Sequence, residues 1–286
     1  MRYKLIILLF LIGFTFSSCS STDADDTMDP TSQTDTDSEE EASDADDSET
    51  EEETDSDTDE DTDSEIDTDD ELAVYRKIYG ATDIYKDGDY VVIEMEGIPD
   101  HGSPYYDGSE WQDRYEENDE RSFNQNPNVI QSVDRTVRIP LYPTEATDHQ
   151  ATALGTMGVA LNGVAFFNQY AGPNNQPLTN EIYSFDQYNG HPQSSGVYHY
   201  HLEPNYLTEQ ESIGQDGLLG FLLDGFPVYG PMENNVAVTN DDLDDYHGHS
   251  HETEDYPDGI YHYHITAEDP YINGNGYYGT PGTSTQ

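Results

Sequence analysis

Residues 196–204 read GVYHYHLEP and residues 259–270 read GIYHYHITAEDP, so Tyr-His-Tyr-His is written twice, each time two residues after a glycine. On a β-strand alternate side chains point to opposite faces. His199 and His201 then share one face and Tyr198 and Tyr200 the other; His262 and His264 stand likewise against Tyr261 and Tyr263. Two such histidines lie about 7 Å apart at Cα and can turn their rings onto one ion, with nitrogen–metal bonds of about 2.0–2.1 Å. A third imidazole comes from the loop before each word: His191 in one case, His249 in the other. Three neutral imidazoles suit zinc or copper. Asp186 and Asp244 are the expected outer partners, accepting the second ring N–H of a ligand. The second stretch adds His247 and His251 in YHGHSH, His101 in EGIPDHG is the outside candidate to join, and His149 reads as a loop residue. Paired histidines can also be structural, bonded to carbonyls or acids and sensitive to pH near 6.5. Eight of the ten histidines fall in the two stretches, six of them at matched positions, which favours a functional site.

The elements around these words repeat as well. VALNGVAFFN (159–168) matches GFLLDGFPVYG (220–230), with Gly163 and Gly225 62 residues apart. FDQYNGH and LDDYHGH follow, with Asp186 and Asp244 58 apart, and His199 and His262 are offset by 63. Each unit reads as a hairpin, a loop with Asp and Gly-His, and a strand bearing Tyr-His-Tyr-His. Asn-Gly or Asp-Gly between apolar runs predicts a two-residue type I′ turn. Repeat one spans about 155–206 and repeat two about 218–279. Helix signals are scarce, and residues 89–97 and 136–143 also read as strands. The expected fold is mostly β: a single domain over 73–286 built from the two tandem repeats, related by a pseudo-two-fold axis.

What precedes this domain has a different composition. Residues 5–16 form a mostly apolar run behind Arg2 and Lys4, the pattern of a signal peptide and too short to span a bilayer. The run ends in FSSC, and Cys19 is the only cysteine. This resembles a bacterial lipobox, with Phe16 where Leu, Val or Ile is usual; residues 1–18 would be a lipoprotein signal peptide and Cys19 the lipidated new N-terminus. An ordinary secretory signal with a free thiol is the alternative. Residues 20–72 hold 27 of the 61 acidic residues and no Lys or Arg. Such a segment cannot bury enough apolar surface to offset its ordering entropy, so 19–72 is expected to be a disordered stalk. Calcium binding is disfavoured because no glycine-bearing EF-hand loop is present. The acidic stretch also resembles the export signal of surface lipoproteins in one Gram-negative phylum, and Ser20 after the cysteine suits outer-membrane delivery. The expected partners are a membrane, through the lipid anchor, and a metal ion. The domain keeps 34 acids against 7 bases, which excludes nucleic acid as a partner.

Across about 91–279 the blocks GIPDH, RIP, GVALNGVAFFN, NGHPQSSGVYHYH, GFLLDGFPVYGP, LDDYHGH, DGIYHYHIT and PYINGNGYYG stand in order. In these the chain resembles the YHYH-domain family of bacterial extracytoplasmic proteins. The resemblance implies no established activity; metal binding is suggested by the histidines. Relatives carry cysteines near four positions that here are Tyr188, Tyr206, Tyr246 and Tyr277. An exported domain would pair such cysteines as disulfides, so the resemblance implies that aromatic packing replaces the cross-links while the histidines remain.

Three functions compete. The first is a surface-anchored domain that captures, stores or senses copper or zinc. The second is a metal-dependent hydrolase with Asp186 or Asp224 as base, and Asp244 the equivalent of Asp186; no zincin motif or nucleophile elbow supports it. The third is a carbohydrate-binding or adhesion module using Tyr105, Tyr106 and Trp111 in SPYYDGSEWQDRY, with structural histidines.

Overall fold

A computed structural model describes residues 71–108, 110–112 and 122–286. The expected signal peptide, Cys19 and the acidic stretch to residue 70 lie outside the described residues, as does the segment after Gln112. Leu72, which composition places with the acidic stretch, is already 4 % exposed in the core.

The chain is mostly β. It opens with β1 (Ala81–Asp87), β2 (Tyr90–Met95) and β3 (Arg135–Pro140). Repeat one supplies β4 (Thr156–Ala160), β5 (Ala165–Phe167), β6 (Tyr170–Ala171), β7 (Gln176–Pro177), β8 (Gly190–Pro192) and β9 (Tyr198–Tyr200). Repeat two supplies β10 (Leu218–Leu222), β11 (Pro227–Tyr229), β12 (Met232–Glu233), β13 (Val236–Ala237), β14 (Gly248–His251) and β15 (Ile260–His264), and β16 (Thr283–Thr285) closes the chain. Strands β1, β2, β3 and β16 form an antiparallel sheet in that order. Apolar alternation turns Val91, Ile93, Val137 and Ile139 into the core, where they meet Val159, Phe166, Phe221 and Val228 of the repeats.

The eight-stranded sheet has the order β14-β15-β11-β10-β4-β5-β9-β8. It reads the same from either end. The middle pair β4–β10 is antiparallel, β5–β9 and β11–β15 are parallel, and β8–β9 and β14–β15 are antiparallel. An antiparallel central pair with identical flanks is what a two-fold axis between the repeats requires. Parallel pairing needs a crossover rather than a tight turn. The crossovers run through the β6–β7 and β12–β13 hairpins and the 3-10 turns Glu181–Ser184 and Asn240–Asp242. They bring each Tyr-His-Tyr-His strand back beside its own hairpin.

The hairpin turns correct the type I′ expectation. Ala160 N–H donates to Val164 C=O and Gly163 N–H to Ala160 C=O, a three-residue loop in which Gly163 has φ +78° and Asn162 is not left-handed. Leu222, Gly225 and Phe226 repeat it, with Gly225 at φ +87°. That is the three-residue hairpin that places its left-handed residue last. The glycine also permits a close approach: a Cβ on Gly163 would sit 2.5 Å from Gly80 O, and one on Gly225 2.5 Å from Pro140 O.

Candidate metal centres

The tyrosine face of each word is its anchor. Tyr198, Tyr200 and Tyr263 are fully buried. Tyr198 OH donates to Asp186 at 2.9 Å, and Tyr261 OH donates to Asp244 at 2.9 Å. Tyr263 OH donates to Asp224 at 2.5 Å, and Tyr200 OH accepts from the Asn162 amide at 3.1 Å. The first tyrosine is therefore pinned to the Asp of the preceding loop and the second to the polar residue of the hairpin turn. This corrects the role expected for Asp186 and Asp244: they serve the tyrosines across the strand from the imidazoles. Asp186 also takes the Ser103 hydroxyl at 2.6 Å and the Tyr188 N–H at 3.0 Å. Asp186 and Asp224 are 0 % exposed, and burial pushes each carboxyl up to about 6 against the pull of these donors. Neither can act as a base beside an ion on the other face.

The histidine face is where the structure gathers the imidazoles. His191 and His249 lie on strands, not loops, directly opposite His199 and His262 in the antiparallel pairs. His191, His199 and His201 form one cluster, and His249, His251, His262 and His264 form another, each with its ring nitrogens within 4.8 Å of one another. The clusters sit near opposite edges of the sheet. From β9 to β15 is five strand steps, roughly 24 Å at about 4.8 Å per step, so these are two sites rather than one shared one.

In the first site His199 Nε2 is 3.0 Å from His191 Nε2 and 3.1 Å from His201 Nε2. The other ring nitrogens identify the tautomers. His199 Nδ1 faces Val197 O at 3.1 Å and His201 Nδ1 faces Asn168 O at 2.5 Å. A carbonyl only accepts, so Nδ1 carries the proton in both rings and Nε2 presents a lone pair. The Nε2 lone pairs of His199 and His201 thus face each other at 3.1 Å with no proton between them. His191 Nδ1 lies 2.8 Å from the Ser184 hydroxyl, which also reaches Glu181 O at 2.7 Å, and 3.4 Å from the Asn126 amide nitrogen, so its partners admit either tautomer. Nitrogens arranged tetrahedrally around an ion at about 2.0–2.1 Å stand about 3.3 Å apart, close to the separations seen. Phe167 stacks on His199 at 3.9 Å and Phe185 on His201 at 5.4 Å, so the walls are apolar. Glu181 Oε1, 3.7 Å from His191 Nε2, is the nearby carboxylate.

The second site repeats this chemistry with a more open wall. His262 Nδ1 donates to Ile260 O at 2.9 Å and His264 Nδ1 to Gly230 O at 2.8 Å, the counterparts of Val197 and Asn168. The Asp242 backbone holds His249, and Glu252 O holds His251 Nδ1 at 2.7 Å. His264 Nε2 is buried without a partner, and His249 and His251 Nε2 lie 3.1 Å apart. Glu233 faces both, 3.0 Å from His251 Nε2 and 3.7 Å from His249 Nε2. Tyr229 stands where Phe167 does in repeat one, 5.1 Å from His262.

Burial favours the neutral form of His191, His199, His201, His249, His262 and His264. His191 and His199 are pushed well below the usual histidine range by burial and then by neighbouring imidazoles. Burial lowers His201 and His264 to about 4 and His262 to about 3, and it lowers His249 as well.

Two expected ligands lie elsewhere. His101 is on the tyrosine face, its Nδ1 donating to Gly102 O and its Nε2 accepting from Tyr200 OH, both at 3.0 Å. His247 takes the left-handed position that Asn189 has in repeat one, φ +74° against +64°, and bonds to Thr266 Oγ1 at 3.0 Å. Thr266 donates onward to Asn240 Oδ1, so His247 Nε2 is the donor and has no lone pair for an ion. His149 stacks on Tyr246 at 4.2 Å, and His101 packs against Tyr188 at 4.5 Å with its ring tilted, a paired structural role. Tyr188 and Tyr206 meet at 5.2 Å, while Tyr246 meets Tyr278 at 6.1 Å and Tyr277 turns its hydroxyl to Met157 O. In the aromatic loop Tyr105 is 1 % exposed and offers no face to a sugar.

Sequence reasoning missed Glu181 and Glu233. They occupy different places in the two repeats, so matching the repeats could not find them. The carbonyls of Asn168 and Gly230 sit at matched positions 62 apart, a signal that backbone chemistry hides.

The model of a family described as YHYH protein matches residues 136–241 and 232–276. No curated protein and no solved structure matches the chain.

Proposed function

The chain belongs to the YHYH protein family, and we propose that it is an extracytoplasmic lipoprotein whose domain binds two transition-metal ions, copper or zinc, one in each histidine cluster. The single observation that carries this reading is the pair His199 and His201, whose Nδ1–H groups are held by backbone carbonyls while their Nε2 lone pairs face each other at 3.1 Å, with the same carbonyl pattern at His262 and His264. Structural histidines exchange protons with neighbours; lone pairs facing one another at about 3 Å are favourable only around a cation. The all-nitrogen donor set fits copper or zinc and not calcium or magnesium. Export and anchoring to the outer membrane or cell surface rest on the apolar run 5–16 and Cys19 in its lipobox-like setting.

The test is elemental mass spectrometry on the purified chain, made without affinity histidines or chelator. Two ions per chain are expected, falling to one in His199→Ala and to one in His262→Ala. Background metal in the unaltered protein after dialysis against copper and zinc sinks the reading. Metal-dependent hydrolysis is a second reading, favoured at the His249 cluster because it opens onto a cleft. It requires an exogenous ligand to reach the ion, which a spectral shift of the cobalt-substituted protein with azide would report.

A further inference from the structure

Two clusters built by the same repeat differ in one physical respect, access. In the first, His191, His199 and His201 are 2 %, 2 % and 4 % exposed, and Phe167 and Phe185 cover the rings. In the second, the side chains of His249 and His251 are 25 % and 35 % exposed. His251, His262 and His264 line a cleft of about 890 Å³. In repeat two Tyr229 stands where Phe167 does in repeat one, and its hydroxyl turns to Thr253 and Asp255 on the cleft wall.

The cleft is also electrostatically biased. Asp216, Glu233, Glu252, Glu254 and Asp255 line it against Lys77, which is ion-paired to Asp255. A concave surface of one sign focuses the field and raises the local concentration and arrival rate of counter-ions by about 10–10³-fold. At its floor the buried, unpartnered His264 Nε2 is the atom such an ion would find.

Resting on the metal-binding reading, we infer that the two sites divide the work. The His249 cluster is the exchange site, loaded by hydrated divalent cations through the acidic cleft. The His199 cluster holds a trapped, structural ion behind its phenylalanines. A cation leaving the first site has one carboxylate, Glu181, beside otherwise apolar walls and ligands that are 2–4 % exposed. One leaving the second passes directly to Glu233 and then to the rim carboxylates.

The experiment loads the purified chain with zinc, mixes it with excess EDTA and follows release with time. Two clearly separated phases are expected, one ion each. His249→Ala/His251→Ala should delete the fast phase alone. Phe167→Ala should speed the slow phase and leave the fast one unchanged. Raising the salt concentration should slow loading of the fast site, because the rim charges are screened over a Debye length of about 8–10 Å. Two ions that leave in one phase, or a slow phase lost in His249→Ala/His251→Ala, overturn the division of labour while leaving metal binding intact. A chain that retains no zinc after desalting overturns the metal reading itself. Should the double variant fail to fold, the Phe167→Ala and salt measurements still decide the matter on otherwise unaltered ligands.

Discussion

Acid should unfold the metal-free protein well above the pH at which ordinary domains fail. His101, His201, His247 and His264 are held at about 4 and His262 at about 3, burial being the first cause in each. A base whose folded pKa lies below its unfolded value keeps its full stabilising effect above the unfolded pKa. It loses that effect as pH falls through about 6.5 towards the folded pKa. At about pH 5 an unfolded histidine is almost fully protonated and these folded ones hardly at all, which costs about 2 kcal/mol each relative to neutral pH. Five such groups sum to about 10 kcal/mol as an upper bound, because neighbouring imidazoles share their protons. Asp186 and Asp224 act in the opposite sense: their carboxyls are raised to about 6, so each contributes stability as pH falls. That offset is about 1 kcal/mol each at about pH 5, leaving a net loss of up to about 8 kcal/mol, comparable with the whole stability of a domain. The assay is urea unfolding of chelator-treated protein followed by circular dichroism at about pH 7, 6 and 5, with linear extrapolation. A loss below about 2 kcal/mol between the first and last pH would refute the claim that these imidazoles are neutral because they are buried. Added zinc should raise stability most at neutral pH and lose its effect on acidification, since the ligands must be unprotonated.

Removing the Tyr198 hydroxyl in Tyr198→Phe strips a donor from the fully buried Asp186 and should cost about 1.5–3 kcal/mol in denaturant unfolding while leaving metal stoichiometry unchanged. A lost ion in that variant would mean that the tyrosine face and the histidine face are not independent. Gly163→Ala places a Cβ 2.5 Å from Gly80 O at φ +78° and should cost over about 2 kcal/mol, whereas Gly88→Ala, at φ +60° with open space around it, should cost about 1 kcal/mol. Equal costs at the two glycines would show that close approach to Gly80 is not what requires Gly163. Replacing His247 by Asn, the residue at the matched position 189, should leave metal content unchanged by elemental analysis; a missing ion would return His247 to the ligand set.

Local periodicity carried much of this protein in plain view. Alternation on a strand is a property of the backbone, so Tyr-His-Tyr-His alone dictates that His199 and His201 share a face and that the tyrosines pack on the other. The matched spacing of the two stretches likewise made the mostly β repeat legible, and with it the third histidines of the clusters, His191 and His249. The hairpins were legible as hairpins, but their turn type was not: contact of Gly163 with Gly80 involves residues about 80 positions apart in the chain. The same limit explains the misplaced roles. Asp186 lies close in sequence to His191, yet the strand separates their faces and gives the carboxylate to Tyr198. His247 belongs to an alternating histidine run, yet its left-handed backbone turns the ring to Thr266. His101 stands near no repeat and finds Tyr200 only when the sheets pack. Tertiary structure alone decided that the clusters lie near opposite edges of one sheet, that Glu181 and Glu233 face them, and that phenylalanines close one site while the other opens on an acidic cleft. Residue type and spacing determine which groups can share a face; burial, tautomer and access depend on what the rest of the chain lays against that face.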